Sequence, residues 1–135
     1  MKKKFSIKWK SSKQKRKQRK YRFNAPLHIR KKLISANLSK ELRKKYNRRS
    51  FPLRKGDLVK IMRGSFKGKS GKIEKINLKK LKVSIEGIQK QKKDGTKINI
   101  WFDPSKLQII ELNLEDKKRL KKLEDKNAQK KTINA

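Results

Sequence analysis

Residues 54–73 hold the side chains best placed to do chemistry. Gly64, Gly68 and Gly71 alternate there with Arg63, Lys67, Lys69 and Lys72. Glycine tolerates positive φ and lets the backbone come close to a neighbour. A loop of this kind offers backbone N–H groups and cations together, which suits a bent path of phosphates. It is not a nucleotide-binding P-loop, because the Gly-x4-Gly-Lys-Ser/Thr spacing is absent and the flanks read as strand and strand, not strand and helix. The competing reading is a glycine-rich β turn whose lysines are merely solvated.

Other chemistry is poorly provided for. Asp57, Glu74, Glu86, Asp94 and Asp103 are scattered singly, mostly at turn-like or strand positions. A nuclease or other hydrolase would need clustered carboxylates for a metal or a general base. There is no Cys, and the single His28 is expected to pack or make one contact, not to catalyse. No catalytic, cofactor-binding or metal-ligating residues are therefore expected, and no cofactor, and the chain does not read as an enzyme.

The elements that must position the loop can be read on either side of it. Leu58-Val59-Lys60-Ile61-Met62 and Lys72-Ile73-Glu74-Lys75-Ile76 are expected strands flanking it. Leu81, Val83 and Ile85 take every second position of a third. Asp94-Gly95 is a hairpin signal, after which Ile98, Ile100 and Phe102 share one face and Trp101 the other. Pro104 ends that strand, and Leu107-Gln108-Ile109-Ile110 offers a last short one. Four to five short strands with glycine turns predict a small barrel over residues 51–112. Before it, residues 25–50 predict two short helices: one following Pro26, with Leu27, Ile29, Leu33 and Ile34 as its stripe, and one capped by Ser39 with Glu41 in its first turn. Residues 113–135 predict a charged, exposed helix from Asn113 that frays towards Ala135, with Glu115 and Arg119 as an i,i+4 pair.

Charge then narrows the partner. The 135 residues include 45 Lys or Arg against 11 Asp or Glu, a net charge of +34, and only 32% are hydrophobic. The excess is greatest in residues 1–50, where 21 Lys/Arg face one acid, Glu41. So few apolar residues predict one small domain plus basic segments that order on a partner. A polyanion is required, and nucleic acid fits better than an anionic membrane, which favours an amphipathic basic helix. Residues 1–24 read as a basic arm in which Phe5, Trp9, Tyr21 and Phe23 interleave with cations, as suits phosphates and unstacked bases of RNA. A solvated tail is the plainer reading of that segment. No run of apolar residues is long enough to span a membrane, and no signal-peptide apolar core follows Met1-Lys2-Lys3-Lys4.

Residues 57–73 resemble a KOW motif, the RNA-binding hairpin of small SH3-like barrels. Phe23-Asn24-Ala25-Pro26-Leu27-His28-Ile29-Arg30, Leu38-Ser39-Lys40-Glu41-Leu42-Arg43-Lys44-Lys45-Tyr46-Asn47 and Arg48-Arg49-Ser50-Phe51-Pro52-Leu53-Arg54-Lys55-Gly56-Asp57 extend the likeness. So do Asp94-Gly95-Thr96 and Pro104-Ser105-Lys106-Leu107. Together they resemble the large-subunit ribosomal protein family numbered twenty-four in the universal scheme and twenty-six in eukaryotes, in its archaeal and eukaryotic form.

The resemblance implies a mainly β fold: an SH3-like barrel with a KOW motif, a basic N-terminal arm with two short helices, and a charged C-terminal helix or tail. It implies a cytoplasmic structural constituent of the large ribosomal subunit that binds large-subunit rRNA near its 5′ end, acts early in assembly and sits near the polypeptide exit tunnel. Expected partners are that rRNA and neighbouring large-subunit proteins, with no membrane span and no small-molecule substrate. The alternative is a KOW-type transcription elongation or regulatory RNA-binding module, which would carry a polymerase-docking domain. Expected RNA contacts in the arm and helical extension are Lys15, Arg16, Lys17, Arg19, Lys20, Tyr21, Arg22, Arg30, Lys31, Lys32, Arg48 and Arg49. In the barrel they are Arg54, Lys55, Arg63, Gly64, Phe66, Lys67, Gly68, Lys69, Gly71 and Lys72.

Overall fold

Alternating apolar and polar residues make the strands, because successive side chains of an extended chain point to opposite faces. The computed structural model describes residues 3–133, with side chains through Asp125. Its strands are β1 (Ser35–Leu38), β2 (Ser50–Pro52), β3 (Leu58–Ile61), β4 (Ser70–Asn77), β5 (Lys82–Gln91), β6 (Lys97–Phe102) and β7 (Leu107–Glu111). They form one sheet in the order β2-β1-β7-β3-β4-β5-β6. Val59, Ile61, Ile73, Val83, Ile85, Leu107 and Ile109 are buried and build its core.

The expected small SH3-like barrel is met in part, as a small β fold whose seven-stranded sheet does not close: β2 and β6 are the two edges, and no pairing joins them among the described residues. The sheet bends instead at register shifts in β3, β4 and β5, where an irregular residue increases local twist. Edge strand β2 is protected in two ways. Pro52 has no N–H to donate, and its carbonyl accepts a 3.1 Å hydrogen bond from Arg119.

Among the described residues four α-helices accompany the sheet: α1 (Lys15–Asn24), α2 (Leu27–Leu33), α3 (Lys40–Tyr46) and α4 (Lys117–Ile133). The two expected in residues 25–50 are α2 and α3. Ser39 caps α3 by accepting from the Leu42 N–H at 3.4 Å, and Asn47 ends it with φ +50°. Between them lies β1, which the sequence does not announce. It pairs antiparallel with β2 and parallel with β7. Ile34 leaves the helix to enter the core, fully covered.

Two more expectations change. The arm contains a ten-residue helix, α1, whose Tyr21 is buried with Ala25 and Ile29 and flanked by Phe5, Trp9 and Leu33. The last helix starts at Lys117, not Asn113, and it is docked: Leu123 is fully buried in the sheet core. Arg119 turns inward to Asp57 instead of pairing with Glu115. The expected fraying towards Ala135 falls outside the described residues.

Candidate nucleic-acid interface

The β3–β4 loop is fixed by its own backbone. The Gly68 N–H donates to the Ile61 carbonyl and the Ile61 N–H to the Lys69 carbonyl, both at 2.8 Å. Inside, Lys67 donates to Gly64 and Lys69 to Phe66, each at 3.1 Å. Gly64 and Gly68 have φ of +97° and +89°, so the turns need residues without a Cβ. Gly71 is needed for a different reason. Its φ is ordinary, but an added Cβ would stand 2.7 Å from Ile85 Cγ2 and 2.9 Å from the Glu86 carbonyl. Phe66 is half-buried, edge-on to Phe102 at 6.0 Å, and anchors the loop inward. Arg63, Lys67, Lys69 and Lys72 stay exposed around that anchor, with Lys69 Nζ 5.3 Å from the Phe66 ring centre.

The N-terminal layer presents a second cationic surface. On α1, Lys15, Arg16, Arg19, Lys20 and Arg22 are exposed and Lys17 is half-buried, with no acid anywhere in the helix. Tyr21 faces the other way, stacked on Phe5 with ring centres 5.3 Å apart, so its ring is covered by protein. Gln18 Nε2 ties α1 to the preceding turn, donating to the Trp9 and Ser12 carbonyls at 2.9 and 2.7 Å. Lys31 and Lys32 of α2 are exposed, and so is His28. None of the α1 or α2 cations is ion-paired among the described residues.

Three of the arginines expected to meet RNA have partners within the protein. Arg30 donates to the Phe23 carbonyl, to Ala25 at 2.8 Å and to Lys79 at 3.4 Å, clipping the α1–α2 junction to the β4–β5 turn. Arg48 lies over the Phe51 ring and donates to the Lys122 carbonyl. Arg54 pairs with Asp116 at 2.5 Å. The Lys118 backbone N–H, helped by that guanidinium, holds the Asp116 carboxyl below the usual carboxylate range. Arg49 and Lys55 remain exposed.

What holds the loop-bearing sheet to α4 is a pair that no sequence motif flags. Arg119 Nη1 and Nη2 donate to Asp57 Oδ1 and Oδ2, each at 2.6 Å. Asp57 is wholly buried and also accepts from the backbone N–H groups of Arg54 (2.8 Å) and Asn113 (2.9 Å). Arg119 donates in addition to the Asn113 carbonyl at 2.7 Å and stacks over Phe51. Each Asp57 oxygen thus has two donors, the condition under which a buried ion pair is tolerated. Asp57 therefore serves architecture, not acid–base chemistry.

Among the described residues no group of three or more His, Cys, Asp or Glu could hold a metal, and no helix is long and apolar enough to cross a membrane. The arrangement offers two exposed cationic surfaces, one on a rigid glycine loop and one on helices.

Comparison with known proteins takes in both surfaces. The family model for ribosomal protein L26 of eukaryotes and its archaeal L24 counterpart matches residues 12–126, taking in α1, the whole sheet and most of α4. A large ribosomal subunit protein uL24 from Methanosphaera stadtmanae is 48% identical over 108 residues, covering 80% of this chain and 92% of that protein.

Proposed function

We infer the function from kinship and geometry together: the chain belongs to the family of eukaryotic L26 and archaeal L24 ribosomal proteins, and so is a structural constituent of the large ribosomal subunit in the cytoplasm. The finer reading is that it scaffolds large-subunit rRNA near the 5′ end, joins early in subunit assembly and lies near the polypeptide exit tunnel beside other large-subunit proteins. Its β unit acts as a KOW-type RNA-binding module, and no small-molecule substrate or catalysis is involved.

One observation carries the RNA reading. Among the described residues the cations of α1 and α2 are not paired with carboxylates, in a chain whose net charge is +34. Such a surface repels itself until phosphates neutralise it, and binding releases the counterions condensed on RNA. Helical RNA is recognised mainly by shape and backbone, which spread cations serve. The inward side chains refine the expected contacts. Phe66 and Tyr21 position the cations around them, while Arg30, Arg48 and Arg54 fix the elements that carry Lys31, Arg49 and Lys55. No observation favours the transcription-module alternative.

The test is sedimentation of the tagged chain through a density gradient from growing cells. It should travel with large subunits and their precursors at physiological salt and leave them at high salt. A chain found only at the top of the gradient contradicts the reading.

A further inference from the structure

Among the described residues Trp101 is the large aromatic of the sheet left most open, at 39% exposure. The strand register says what surrounds it. Trp101 on β6 is opposite Ser84 on β5, and Ser84 is opposite Lys75 on β4. Cross-strand partners share a face, so Lys75, Ser84 and Trp101 form a row on the side of the sheet away from the core. Ser84, the middle member of this row, is wholly buried, and among the described residues its hydroxyl has no hydrogen-bond partner.

Trp101 also lines a shallow hollow with Lys55, Lys75, Ile76 and Leu78. The last two residues line a second cleft as well, of about 510 Å³, which runs to α4 and carries Lys118 and Lys122 on its rim. Ile76 and Leu78 thus border both hollows. Acids are few along this path. Glu74 is engaged by Lys75 at 3.7 Å and by Asn99 at 2.8 Å, and Asp116 by Arg54.

We propose that this path binds a single-stranded segment of RNA, with an unstacked base on the Trp101 ring, the flanking phosphates on Lys55 and Lys75, and the strand continuing towards Lys118 and Lys122. An open indole beside cations is the combination that holds single-stranded nucleic acid, since any base has a π face and the backbone needs counter-charge. The rim charge favours a polyanion over an apolar protein segment. This assignment rests on the RNA-binding reading above, but it adds a site that neither the glycine loop nor the N-terminal helices supply.

Trp101 reports on itself once Trp9 is replaced. In a Trp9→Phe chain, a short single-stranded oligoadenylate should quench the indole emission, whereas the same backbone lacking bases should bind without quenching. Trp101→Ala should weaken oligoadenylate binding by roughly five- to a hundredfold, and Trp101→Phe should keep most of it. Because the side chain is partly open to solvent, both variants should unfold close to the parent's denaturant midpoint. Binding by anisotropy with unchanged Trp101 emission, equal quenching by duplex RNA, or parental affinity in Trp101→Ala would each overturn the site while leaving the ribosomal reading intact. Failure of the full chain to bind any RNA would overturn both.

Discussion

The N-terminal layer is more basic in sequence than the sheet with α4, and the two are held together differently. The sheet encloses a continuous core from Ile34 to Leu123, closed off by the buried Asp57–Arg119 pair. The layer of α1 and α2 has three buried residues, Tyr21, Ala25 and Ile29, with Phe5, Trp9 and Leu33 around them. A cluster that small contributes little against the backbone entropy of ordering two helices. Among the described residues its cations have no carboxylates to neutralise them. The difference teaches that the sheet is held by its own contacts, whereas the layer carries unneutralised charge over a small cluster, which phosphates would complete under the proposed function.

Variants that break this contrast can be ranked. The largest effect is expected from Arg119→Ala, which leaves the Asp57 carboxylate buried and unpaired. It should lower unfolding free energy by about 3–5 kcal/mol in urea melts and release α4. Combining it with Asp57→Asn should restore part of that loss, because the buried charge goes too. A double variant no better than the single would show that the ion pair is not what the sheet depends on. Gly71→Ala comes next, at about 1–3 kcal/mol, from its clash with the Glu86 carbonyl and Ile85. Gly68→Val should cost about 1–2 kcal/mol, from positive φ alone, because a Cβ there meets nothing within 4 Å.

The layer should respond on its own. Tyr21→Ala is expected to strip hydrogen-exchange protection from α1 and α2 while moving the sheet's unfolding free energy by less than about 0.5 kcal/mol. Equal losses in both regions would merge them into one cooperative unit. The smallest effect concerns pH. The folded-state value of the Asp116 carboxyl is depressed by the Lys118 N–H and by Arg54. Its contribution is therefore present above the unfolded-state value and fades as pH falls through the lower folded-state value. Asp116→Asn should flatten this acid limb in the amide shifts of the first turn of α4, and an unaltered limb would assign it elsewhere.

How much of this is legible in the sequence follows from how local each signal is. Strands β3, β5, β6 and β7 can be read because period-two alternation is written into them, as in Ile98, Ile100 and Phe102, whereas in β4 the apolar Ile73 and Ile76 are three apart across a register shift. Even for β5, Leu81 falls in the β4–β5 turn with φ +54° and not on the strand. β1 is hidden because Ser35-Ala36-Asn37-Leu38 has no β-branched residue, and pairing with β2 and β7 makes it a strand. The basic loop is evident as a candidate site, but its glycines look alike. Only the folded arrangement separates the turn residues Gly64 and Gly68 from Gly71, which makes room for a neighbouring strand. α1 is masked by its charge, since Phe5, Tyr21 and Ile29 are too sparse to announce a cluster. Nothing local links Asp57 to Arg119, 62 residues apart.

The division of labour between the two regions is tested most directly by replacing Lys15, Arg16, Arg19 and Lys20 of α1 with Gln and measuring rRNA affinity across a salt series. The slope of log affinity against log salt should become shallower by about 0.7–0.9 for each phosphate no longer neutralised, while the urea midpoint of the sheet stays where it was. A variant whose salt slope matches the parent's would contradict the claim that this layer exists to meet phosphates.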